Sequence, residues 1–176
     1  MFLIGLLLAL PSITYSDDSA LLSKSQALTA EYATQLKAAL LSAMSSGGPV
    51  AAIDVCKDQA PVIQSELSRV SGANVRRTSL RFRNSGNAPD DWETEMLEKF
   101  ASTDQKESLE TTASGVTRYM KAIPTGAVCI ACHGEEIAPE VEERLKVAYP
   151  HDRARGYSLG DVRGAFSISW PAPASD

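Results

Sequence analysis

Leu28, Tyr32, Leu36 and Leu40 return every four residues, so the stretch from about Ser23 to Ser45 predicts an amphipathic helix. Ser45-Ser46-Gly47-Gly48 ends it. Pro49 can open the next helix, because the N–H it lacks would be unpaired in a first turn anyway. In that second helix Ile53, Cys56, Ala60, Ile63, Leu67 and Val70 alternate steps of three and four and form one inward stripe, closed by Gly72. Pro61 sits mid-helix; it removes the bond to the Lys57 carbonyl and is expected to bend the helix beside Cys56.

From Asn74 to Arg83 the period changes to two, the pattern of a strand. Thr78, Leu80 and Phe82 share one face, and Arg77, Ser79, Arg81 and Arg83 the other. Asn84 to Asp90, with Gly86, Asn87 and Pro89, reads as a loop. Trp92, Met96 and Phe100 then mark a helix, Gly115 to Ile123 a strand stopped by Pro124, and Pro139 to Ala148 a short helix. Gly164 to Trp170 is a strand with Phe166, Ile168 and Trp170 on one face. Long helices first, then strands with helical insertions, predict an α+β fold with an antiparallel sheet.

The chain has 176 residues, 44% hydrophobic and 22% charged, which suits one domain with a real core. Three cysteines exclude a disulfide framework, and a net charge of −5 supplies no basic field for nucleic acid. Met1 to Ser16 carries no charge, and Phe2 to Leu10 reads FLIGLLLAL, too short to span a bilayer but suited to an export signal. Thr14 and Ser16 put small residues before Asp17, so cleavage is expected near Ser16. The expected division is a signal peptide over 1–16 and a single domain over 17–176, periplasmic or secreted. The run lacks the Lys or Arg that usually precedes such a signal, which leaves a buried N-terminal helix or strand as the alternative. No cysteine follows the run, so no lipoprotein anchor, and no stable membrane anchor, is expected.

Cys129-Ile130-Ala131-Cys132-His133 has the spacing for covalent attachment of c-type haem. Two thiols three residues apart can each add to one porphyrin vinyl group, and the next histidine then falls beneath the iron. The rivals are weaker. A thioredoxin-like dithiol belongs after a strand in a βαβ pattern, which is absent. A zinc site would need Cys56 and His151 to complete it, with adjacent Cys132 and His133 binding one ion awkwardly. A plain Cys129–Cys132 disulfide leaves His133 unexplained.

If His133 fills one axial position of the iron, the other falls to Cys56, to His151, or to Met44, Met96 or Met120. A lone thiol on an apolar helix face is more often inert core than ligand. His151 lies in the polar turn Tyr149-Pro150-His151-Asp152-Arg153. Spacing alone leaves the sixth ligand open.

Several further motifs occur in order: Ala52-Ile53-Asp54-Val55-Cys56 with Ala60-Pro61, Arg77-Thr78-Ser79-Leu80 with Arg83-Asn84, Asn87-Ala88-Pro89 with Trp92-Glu93, the CxxCHG, Tyr149-Pro150, and Gly160-Asp161-Val162-Arg163-Gly164-Ala165. Together, from about Gln26 to Trp170, they resemble a family of exported single-haem c-type proteins with a PAS-like fold, found in cyanobacteria and many proteobacteria. The resemblance implies a PAS-like antiparallel sheet behind long N-terminal helices. It also implies haem c held by Cys129 and Cys132, with His133 as proximal ligand and the thiolate of Cys56 opposite. His151 becomes the less favoured alternative.

A thiolate donor stabilises ferric iron, so a low reduction potential follows. On reduction Cys56 would be held less tightly and could leave, opening the site to a gas or a replacement ligand. Arg77, Arg81 and Arg83 are candidate partners for the haem propionates, with Arg163 a weaker one, against the alternative of a solvated basic face. Trp92, Phe82, Tyr119 and Phe166 read as core rather than haem-stacking residues. The function expected is redox sensing or low-potential electron transfer, with a redox partner or a separate signalling protein as partner. The rival is a haem oxidoreductase or peroxidase with an open distal side, for which no clear distal acid–base pair is legible.

Overall fold

Gly48 decides how the chain begins. Its backbone takes φ +67° and ψ −163°, which splits the long helix α1 (Tyr15–Asp54) into two arms, and Pro49 opens the second arm as the sequence predicts. The computed structural model describes residues 15–174, so most of the expected signal segment lies outside the described residues. The run of helix over 18–71 is long and apolar enough to cross a membrane by length and composition alone, as the core helices of soluble proteins also are.

Pro61 acts differently from the expected mid-helix bend. A π-turn, Val55–Gln59, follows α1, with the Ala60 N–H bonding to the Val55 carbonyl, and Pro61 falls in the first turn of α2 (Ala60–Ser71). The N–H missing at Pro61 is thus absorbed by one extra residue in the turn that carries Cys56. Gly72 closes α2 in the left-handed conformation. The inward stripe holds from Ile53 to Leu67, but Val70 is exposed.

Four antiparallel strands, β1 (Asn74–Thr78), β2 (Glu107–Thr111), β3 (Thr117–Pro124) and β4 (Val162–Trp170), pair in the order β1-β4-β3-β2. One face of the sheet, with Val75, Tyr119, Phe166 and Ile168, packs on Tyr32, Leu36, Ala60 and Leu67 of α1 and α2. The other, with Met120, Ala122 and Ala165, packs on Met96, Leu97 and Phe100 of α3 (Asp91–Ser102). A capping box starts α3: the Asp90 side chain accepts the Glu93 N–H, and the Glu93 carboxylate accepts the Asp90 N–H. The fold is α+β, as expected, with a four-stranded antiparallel sheet between helical layers.

Strands β1 and β2 depart furthest from the sequence pattern. Strand β1 ends at Thr78 rather than Arg83, because the Ser79 N–H turns to the Asn87 carbonyl and its hydroxyl donates to the Arg163 carbonyl. Residues 79–83 therefore leave the sheet, and Leu80 is exposed. Strand β2 has no apolar alternation to reveal it, with Leu109 its one large apolar residue. Two short helices complete the chain before β4: α4 (Ala127–His133), which carries the CxxCH, and α5 (Pro139–Ala148), at the expected bounds.

Candidate functional site

A cleft of about 1010 Å³ of atom-free space, mouth included, opens between the two arms of α1, the end of β1 and α4. Cys56, Cys129, Cys132 and His133 all line it, among apolar walls from Leu36, Leu40, Ile53 and Phe82. The three thiols are unbridged. Residues far apart in sequence, on the π-turn and on α4, thus share one apolar space.

The clamp on α4 comes from the segment after α5. The Gly156 N–H bonds to the Gly134 carbonyl at 2.9 Å and the Tyr157 N–H to the His133 carbonyl at 3.0 Å. His133 Nδ1 lies 2.8 Å from the Ala154 carbonyl. A carbonyl only accepts, so the proton sits on Nδ1 and Nε2 keeps its lone pair. Burial, then the cations of Arg83 and Arg163, hold the imidazole pKa well below its ordinary value, so the ring is neutral. Burial likewise pushes the Cys132 thiol up. Gly134 is required where it stands: a Cβ there would meet the Ile130 carbonyl at 2.8 Å.

The arginines divide by what they touch. Arg83 Nε pairs with Asp152 at 3.1 Å, and its Nη2 donates to the carbonyls of Cys132 and Ala154. Its Nε and Nη2 thus brace α4, while the residue also lines the cleft. Arg81 donates to the Arg155 carbonyl and lies over the Tyr157 ring at 3.8 Å, so it too is a brace. Arg77 and Arg163 line the cleft, each with a buried Nε that has no hydrogen-bond partner. A buried unpaired donor is unfavourable unless an acceptor reaches it, so these two are the arginines that fit an anionic group.

His151 is exposed and lies outside the cleft, so the structure does not bring it to the other ligand candidates. Met96 and Met120 are buried in the α3 core. Met44 lines the cleft, extending the four-residue spacing of Leu36 and Leu40. That spacing was the signal by which it could have been placed. Phe82, expected in the core, is half-buried in the cleft wall, whereas Tyr119 and Phe166 are core. Among the described residues no three His, Cys, Asp or Glu side chains converge as a bare metal site, so the zinc alternative has no donor set. The Ala154 carbonyl and Tyr149 also face this site; the sequence marks Tyr149 only as part of a Tyr-Pro motif in a polar turn and assigns the carbonyl no role.

A protein-family model described as Tll0287-like: Tll0287 matches residues 14–171. The chain is similar in structure to the cyanobacterial heme-protein Tll0287, seen in a crystal structure, at TM-score 0.66 and 22% identity, covering 92% of this chain and 99% of that one. None of the curated proteins matches.

Proposed function

The chain belongs to the Tll0287-like family, and from that premise we propose that it is an exported, periplasmic protein that carries one covalently attached haem c and works as a redox sensor or low-potential electron carrier. The observation that carries the reading is that Cys129, Cys132, His133 and Cys56 line a single apolar cleft. The similar fold of a protein described as a heme-protein supports it.

The residues present fit the group. Cys129 and Cys132 would hold it by thioether bonds, and His133 would donate Nε2 to the iron, its tautomer set by the Ala154 carbonyl. Cys56 would supply the opposite ligand as thiolate. Arg77 and Arg163 offer the unpaired donors that carboxylates need. Haem would supply a one-electron couple, and a thiolate ligand would set it low. The partner would be a redox protein or a separate signalling protein.

Optical spectra of wild type and Cys56→Ala, exported in a host that matures c-type haem, test this. A red protein whose ferric thiolate features vanish in Cys56→Ala supports the full assignment. A colourless protein overturns it, and a haem spectrum unaltered by the substitution removes Cys56 from the iron.

A further inference from the structure

We propose that Met44 is the residue that takes the place of Cys56 when the site is reduced, which rests on the haem reading above. Met44 lines the same cleft as Cys56 and His133. Of the sulfur or imidazole side chains open to that role, Met96 and Met120 are fixed in the α3 core and His151 is exposed outside the cleft.

The helix pairing puts Met44 on the side of Cys56. The Tyr32 hydroxyl donates to the Ala60 carbonyl, and Leu36 packs in the same cluster as Ala60. The kink at Gly48 lies between Tyr32 and Ala60, so the chain turns back between them. Leu40 and Met44 therefore follow Leu36 along the cleft as Cys56 and Ala52 precede Ala60. The arm that carries Met44 is loosely packed. No residue from 37 to 51 is buried, and a Cβ placed on Gly48 would meet nothing within 4 Å. An unbranched thioether on such an arm adapts its reach.

Donor chemistry sets the direction. A thiolate favours ferric iron, whereas a neutral thioether raises the potential and so favours ferrous. On reduction by an external one-electron donor, the thiolate of Cys56 would be released and take one proton from water, and Met44 would offer the lone pair of Sδ in its place. Reoxidation reverses each change.

Holoprotein of wild type and Met44→Leu, a swap that conserves volume, would be compared by absorption and magnetic circular dichroism, ferric and dithionite-reduced. The expected result is an unchanged ferric thiolate spectrum, with loss of the six-coordinate low-spin ferrous spectrum in Met44→Leu and faster carbon monoxide binding. A reduced spectrum identical in the two proteins overturns the inference and leaves the haem reading standing. Absence of haem from both proteins overturns both readings together.

Discussion

The Nδ1–H of His133 donates to the backbone carbonyl of Ala154 at 2.8 Å, across 21 residues of chain. The carbonyl is held in turn by Asp152, whose carboxylate accepts the Ala154 N–H at 2.9 Å and pairs with Arg83. An acid with 3% side-chain exposure thereby fixes the tautomer of a histidine it does not touch.

Removing that acid leaves Arg83, with 11% exposure, as an unpaired buried cation. Asp152→Ala is expected to lower the unfolding free energy by about 3–5 kcal/mol, the usual effect of breaking a buried pair from one side. Urea titration followed by far-UV circular dichroism measures it. A loss within about 0.5 kcal/mol, the scale of a surface change, would contradict the brace.

Gly164 sits where β4 crosses the end of β1, and a Cβ there would lie 2.6 Å from the Thr78 carbonyl. Backbone cannot step aside as a flexible side chain can. Gly164→Ala is expected to destabilise by about 1–3 kcal/mol, as overpacking does. Equal midpoints in denaturant for the two proteins would refute the close approach.

Asp90 reports on acid stability. Burial raises its pKa, but the Arg118 hydrogen bond and the Glu93 N–H outweigh burial and hold it below its ordinary 3.8. A carboxylate with a depressed folded pKa contributes stability that is present above the unfolded value and lost as pH falls through the folded one. The advantage of wild type over Asp90→Asn should therefore hold at neutral pH and close as pH falls below the ordinary value of 3.8 and through the lower folded one. Thermal melts across that range check it; a gap that stays constant into acid would count against the assignment.

Arg77 and Arg163 should set the potential of the proposed haem. Ferric iron carries one more positive charge than ferrous, so removing a nearby cation favours the ferric state. Arg77→Gln and Arg163→Gln are each expected to lower the midpoint by tens of millivolts, on the scale of about 59 mV for a tenfold one-electron shift. Spectroelectrochemistry of the three holoproteins reads this, and unchanged midpoints would move both arginines away from the propionates.

Carbon monoxide distinguishes a site whose sixth ligand leaves from one that stays closed. The reduced holoprotein is expected to bind it and the oxidised one to remain inert, as seen in the absorption spectrum. No binding to the reduced form would remove gas sensing from the reading.

Periodicity carried the long helices well: Leu28 to Leu40 and Ile53 to Leu67 point inward as their spacing requires. It failed where backbone bonds, not side-chain patterns, decide. Ser79 leaves the sheet for the Asn87 carbonyl although the alternation runs on to Arg83. Strand β2 lies at the sheet edge with two glutamates in five residues, so burial imposed no pattern on it. In the site, the CxxCH was plain, but Arg77, Arg81 and Arg83 looked alike and Arg163 weaker. Only the bonds of Arg81 and Arg83 to backbone carbonyls and the orphan Nε of Arg77 and Arg163 separate them, and those depend on residues far along the chain.

Strand β4 is the last of the described elements in chain order and yet lies at the centre of the sheet, joining Asn74 to Ser169 on one side and Tyr119 to Ile168 on the other. The pairing with β1 joins residues about half the chain apart, the kind of non-local contact that makes such sheets slow to close. Until Val162 to Trp170 is synthesised, β1 has no strand to bind, and neither Arg163 nor Gly164 stands in the cleft wall. The sheet and the cleft wall are therefore completed only when Val162 to Trp170 is in place.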